Sequence, residues 1–232
     1  MAVTPNTDAA FLREVDEELR RDQLAGAWQR YGRIAIVAVL AGLIAFGGYL
    51  LWRSHQQSVA GVQAETLQKV YDGLAAKDAT AAKPLPDLAK DGAPGYRALA
   101  QFTQADLLLQ KNDSAGAAKL FATVAGDGSV AQPFRDLALI RQTTAEFDTL
   151  KPDVVVSRLR GLAKPDNAWF GSAGELVAMA YLRMNKPDLA GPLFGQIARN
   201  KDVPASIRQR AVQMTGVLGV DAVEQVEDKK AK

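Results

Sequence analysis

Ile34 through Trp52 is a run of 19 residues without a charge, IAIVAVLAGLIAFGGYLLW. As a helix rising about 1.5 Å per residue it is roughly 28 Å long, close to the hydrocarbon core of a bilayer at about 30 Å. In lipid each backbone N–H and C=O has to be satisfied within the segment. A helix does this, so Gly42, Gly47 and Gly48 cost less there than in water. Trp28 and Tyr31 precede the run and Tyr49 and Trp52 close it, giving an amphipathic aromatic anchor at each headgroup level. Arg33 and Ile34 on one side and Trp52 and Arg53 on the other set the expected boundaries of a membrane anchor. A buried core helix of this length would carry a polar face, which this run lacks.

Lys and Arg near the span fix its expected direction. Arg20, Arg21, Arg30 and Arg33 lie on the N-terminal side, against Arg53 and Lys69 on the other, so the N-terminus is expected in the cytoplasm. The acidic run Asp16, Glu17, Glu18 counts for little under that rule. Ser58-Val59-Ala60 has the small residues of a signal-peptidase site. It lies well past the apolar end, however, and the long, partly acidic segment ahead of the run is unlike a signal peptide, so the anchor reads as uncleaved.

The rest of the chain reads as all-α. Residues 1–33 form a cytoplasmic lead, with Phe11, Val15 and Leu19 at four-residue spacing from an N-cap at Thr7 or Asp8. Residues 34–52 are the transmembrane helix, and within it Ala38 and Gly42 have small-xxx-small spacing. Residues 53–219 are the helical domain, and 220–232 are a charged tail expected to be disordered. After the span a helix is expected to about Lys77, followed by a Pro- and Gly-rich connector over 76–95. Helices paired by short turns then cover 96–125, 133–163 and 167–200, and a last helix over 204–219 caps the array.

The chemistry of an enzyme is missing. Cysteine is absent, so no thiolate metal site can be assembled, and the single histidine, His55, sits just past the apolar run, where it reads as a solvated flank and not as a ligand. Asp87, Asp91, Asp106, Asp113, Glu146, Asp148 and Glu175 are scattered, with turn and cap roles open to most of them, and Gly126-Asp127-Gly128 reads as a turn. Arg208, Arg210 and the tail lysines Lys229, Lys230 and Lys232 read as solvated, and a net charge of +2 gives no excess for nucleic acid. No catalysis, cofactor, metal, small-molecule substrate or nucleic acid is expected.

Spacing carries the second signal. A tetratricopeptide repeat needs small residues where its two helices cross and larger apolar ones between, with a period near 34. Ala105, Leu108, Ala117, Phe121 and Val124 fall at those offsets, and Ala178, Tyr181, Ala190, Phe194 and Ile197 repeat them 73 residues later. One degenerate unit fits between the two sets, with Ala138 as its candidate crossing residue.

An amphipathic lead, a span continuing into Trp52-Arg53-Ser54-His55-Gln56-Gln57-Ser58, and the hairpin ADLLLQKNDSAGAAKLFATVA complete the layout. From about Phe11 to Gly219 the chain resembles the bacterial membrane-anchored tetratricopeptide-repeat-like family that includes the ancillary subunit of the SecYEG translocon. The resemblance implies a single-pass inner-membrane protein with a periplasmic repeat domain. Its implied partners are translocon subunits, periplasmic chaperones or unfolded clients, and it brings no catalytic residues. A scaffold for envelope assembly or cell division would use the same repeats with a different partner.

Overall fold

The computed structural model describes the backbone of residues 7–219 and the side chains from Trp28 onward, Ala35 and Gln56 apart. The expected apolar face of the lead, at Phe11, Val15 and Leu19, and the expected disordered tail lie outside the described side chains and residues. The described elements are α1 (Thr7–Ala75), α2 (Leu85–Asp91), α3 (Pro94–Gln110), α4 (Ser114–Gly126), α5 (Gln132–Ala145), α6 (Pro152–Leu159), α7 (Phe170–Arg183), α8 (Pro187–Arg199) and α9 (Ala205–Val217). No strand occurs among the described residues, and Val154, Val155 and Val156 lie inside α6. The chain divides into two units, Met1–Gly61 and Val62–Lys232.

In the first unit, α1 leaves its large apolar side chains open through the uncharged run. Leu40, Leu43 and Phe46 are more than half exposed, and Ile44 and Leu51 are three-quarters exposed. By length and composition this helix can cross a bilayer, and none of its most apolar window is buried. Arg33, Ile34, Trp52 and Arg53, the expected anchor boundaries, are all exposed, as are Trp28, Tyr31 and Tyr49.

The second unit is a stack of helical pairs. Leu67 and Val70, on the last turns of α1, pack with Leu85 and Leu88 of α2 and Ala100 of α3. The expected connector over 76–95 therefore holds a short helix that buries Leu85 and Leu88. Pro86 sits in the first turn of α2, where a missing N–H costs nothing, so the prolines that read as breaks in fact start the helix. The α3–α4 hairpin buries Phe102, Ala105, Ala117, Phe121 and Val124, and α7–α8 buries Ala178, Ala190, Phe194 and Ile197 with α9 closing over them. Small residues set the approach of α7 to α8: a Cβ on Gly174 would stand 3.0 Å from Cδ1 of Ile197.

The repeat is written into the turns. Lys77, Asn112 and Asn185 take φ of 59°, 62° and 55°. At the second of these, Asn112 N–H donates to Leu109 O and Asp113 N–H to Leu108 O, both at 2.9 Å. The same two bonds occur at Lys77 and Asp78, and again at Asn185 and Lys186. Each is a helix end closed by a left-handed residue. Asn tolerates that conformation better than Ala, which has no side chain to bond locally. Asn112→Ala should cost about 1 kcal/mol and Asn112→Gly nothing or less. Thermal unfolding of the two variants checks this, and an Ala variant as stable as the Gly one would contradict it.

The middle unit departs from the pattern. Three residues join α3 to α4 and α7 to α8, but six, Glu146 to Lys151, join α5 to α6. The left-handed residues Lys77 and Asn112 stand 35 positions apart and Asn112 and Asn185 stand 73, three more than twice that step, which matches the three extra residues. The connection has no left-handed residue and is closed by Leu150 N–H on Glu146 O at 2.8 Å. Ala138, the expected crossing residue here, instead packs into the core of the α3–α4 hairpin. Ile140 joins Val155, Val156 and Leu159 in the core that α6 shares with α7. Branched side chains at that crossing hold α5 and α6 apart, and theirs is the sparsest packing of any hairpin in the stack.

Candidate interaction surfaces

Layer contacts give the stack its curvature. Among the first helices of each pair, the backbones of α3 and α5, of α5 and α7, and of α7 and α9 approach closely, whereas those of the second helices α2, α4, α6 and α8 stand further apart. Successive layers thus converge along the α3–α5–α7–α9 row and splay along the other, so the first row lines the inner, concave side.

Paired charges run along that row. Arg141 binds Asp106, with Nη1 donating to Oδ2 at 3.2 Å, and its guanidinium lies 4.7 Å over the ring of Phe121. Phe121 in turn meets Phe102 in a tilted pair with centroids 5.8 Å apart. Arg210 grips Glu175 with two bonds, at 2.7 and 2.6 Å. Both pairs join residues 35 positions apart, one repeat length. Arg183 of α7 lies 5.1 Å over Phe147 and donates to the Phe147 and Leu150 carbonyls, so it clamps the long α5–α6 connection. Arg158 of α6 donates to Glu146 at 2.5 Å.

These contacts correct the sequence reading. Asp106, Glu146 and Glu175 are not free for turns and caps, since each is held by an arginine from another helix. Arg208 and Arg210 are not simply solvated, since Arg208 donates to the carbonyls of Lys201 and Val203. Asp113 does cap α4, accepting from Gly116 N–H at 2.8 Å. The usable signal for the pairs was opposite charge at the repeat period, Asp106 with Arg141 and Glu175 with Arg210. Exposed pairs of this kind contribute about 0.2–1 kcal/mol each, so they fix register more than they supply stability.

Gly126-Asp127-Gly128 does form a turn, and it is also a tie point. Asp127 accepts from the Ser129 hydroxyl at 2.6 Å, from Arg97 Nη2 at 2.6 Å and from Ser129 N–H at 2.9 Å. The Ser129 hydroxyl and then Arg97 are the main causes that pull its carboxyl from an ordinary 3.8 to about 2. Because the folded value lies below the ordinary one, the stabilisation is complete above about pH 4 and is lost as the pH falls towards 2. Asp127→Asn should therefore flatten the fall in unfolding midpoint between those limits. An unchanged slope in acid melts would count against the tie.

Two apolar grooves open on the outer side, where the second helices splay. The first, about 390 Å³, is lined by Leu85 and Pro86 of α2, Gln104, Leu107 and Leu108 of α3, Leu120 of α4, and Lys111. The second, about 260 Å³, lies among α6, α7 and α8, with Val156, Val177, Tyr181, Leu189, Leu193 and Arg160 on its walls. Leu108 and Tyr181, two of the spacing residues, thus serve twice. Each packs against its own hairpin core and forms a groove wall. Among the described residues no cluster of three His, Asp or Glu side chains could hold a metal ion.

The family model of a tetratricopeptide repeat-like domain matches residues 27–214, taking in the apolar run of α1 as well as the stacked pairs. Comparison with curated proteins gives no match, and neither does comparison with solved structures. Domains of this kind serve as protein-interaction modules and are generally not enzymes. Convergent first helices, recurring left-handed turns and a match over most of its length place the chain in the tetratricopeptide repeat-like domain family.

Proposed function

We propose that the protein is a single-pass inner-membrane component associated with the SecYEG translocon. Its N-terminus stays in the cytoplasm, and its repeat domain stands in the periplasm, where it hands emerging chains to periplasmic chaperones. The observation that carries this reading is the open apolar run of α1, Ile34 to Trp52, in one chain with a protein-binding repeat domain. The Lys and Arg count across the span supports the direction, and the resemblance at Trp52 to Ser58 and Ala105 to Ala125 supports the partner. The lack of cysteine suits a domain held by packing alone, which folds in an oxidising compartment without disulfides.

Confinement to the membrane raises the local concentration of both partners, so weak contacts suffice. Full-length protein carrying an affinity tag, purified from membranes in mild detergent, should bring translocon subunits with it. If division or envelope-assembly proteins came down instead and translocon subunits did not, the scaffold reading would replace this one.

A further inference from the structure

The two outer grooves occupy the same place in the repeat. Gln104, Leu108 and Leu120 in the first correspond to Val177, Tyr181 and Leu193 in the second, each pair 73 residues apart. That offset also separates Asn112 from Asn185, the left-handed turns of the two hairpins. The grooves are therefore products of one design used twice. The middle unit interrupts the series, because its connection is longer and α6 packs more fully on α7 than on α5, which meets it through Ile140.

Their chemistry also repeats. Each groove is walled by aliphatic side chains, and each has a single charged lining residue, Lys111 in the first and Arg160 in the second, with no carboxylate among the lining residues. Both cations are exposed, and neither is held in an ion pair among the described residues. An apolar wall beside an exposed cation favours an occupant that presents apolar side chains next to a carboxylate. The first groove falls within the usual pocket range of roughly 300–1,000 Å³ and the second just below it, so each takes a few side chains of a segment and not a folded domain.

We propose that these grooves are docking sites on the outer side of the stack, each taking a short apolar segment of another protein that carries Asp or Glu beside its apolar residues. This rests on the protein-binding part of the proposed function and not on the translocon as partner. Two sites on one rigid stack let a single extended chain bind twice, so modest contacts add up.

The test uses the full-length protein in detergent micelles and two fluorescent synthetic peptides. One alternates Leu and Val with Glu, and the other has Lys in place of Glu. The Glu peptide should bind the more tightly. Lys111→Glu and Arg160→Glu should each weaken it about threefold at their own groove and strengthen the Lys peptide. Leu189→Asp should cost the second groove about tenfold. All three positions are exposed, so helicity and melting should stay as in the parent and report that the fold is intact.

A photo-crosslinking residue at Gln104 or Leu189 identifies the occupant in cells. Capture of other proteins through acidic, apolar segments supports the proposal. It is overturned if the peptides bind equally, if binding ignores the groove variants, or if the crosslinks run to residues 220–232 or to a second copy of the chain. Co-purification of the translocon is independent of all these results, so failure of the grooves and failure of the proposed function can be told apart.

Discussion

Full-length protein carrying Leu40→Arg together with Ile44→Arg should leave the membrane fraction and become extractable by alkaline carbonate. Leu40 and Ile44 lie near the middle of the uncharged run and are exposed on α1. An arginine at the centre of a span costs about 2.5–3.5 kcal/mol on insertion scales, and each replaced Leu or Ile forfeits up to about 0.6 more. The pair therefore costs roughly 6–8 kcal/mol, enough to cancel most of what a 19-residue apolar run gains. The same pair at Ser54 and Gln57, outside the run, should leave the protein in the pellet. A double-Arg variant that stays carbonate-resistant would show that α1 is held by protein and not by lipid.

Phe121→Ala should be the most damaging single change in the repeat domain, lowering stability by about 3–5 kcal/mol. Phe121 is fully buried, packs against Phe102, and carries the Arg141 guanidinium over its ring. Truncation opens a cavity between α3 and α4 and also removes the platform that holds Arg141 on Asp106, so two layers loosen together. At roughly 2–4 °C per kcal/mol for a domain of this size, the midpoint should fall by about 10 °C. Phe121→Leu, which keeps most of the volume, should recover more than half of that. Calorimetry of both variants measures the difference. Equal losses would mean that ring contacts, and not cavity volume, dominate the site.

Much of this architecture could be read from residue patterns, and for physical reasons. The apolar run of α1 is legible because length and absence of charge are properties of composition, which alone marks Ile34 to Trp52. The hairpin crossings at Ala105 and Ala178 are legible because close helix approach admits only small side chains, whatever the rest of the chain does. The helix α2 was hidden because Pro84 and Pro86 are breakers inside a helix yet favourable in its first turn, and periodicity over seven residues is too short to decide between these.

The middle unit was hidden for a different reason. Its three extra residues shift every position after Ala145 out of register, and the clamp that stabilises them comes from Arg183, one unit further on. The interhelix pairs Asp106–Arg141 and Glu175–Arg210 depend on packing across layers, which a linear pattern records only as opposite charges one period apart. The grooves follow from splay between second helices, a property of curvature that no single residue encodes.

The proposed placement of the repeat domain on the periplasmic side of the inner membrane is tested by protease protection of intact spheroplasts containing the full-length protein with a C-terminal tag. External protease should remove the tag and the domain, leaving a membrane-embedded fragment that ends shortly after Trp52. A tag protected until the membrane is dissolved would contradict the account and place the domain in the cytoplasm.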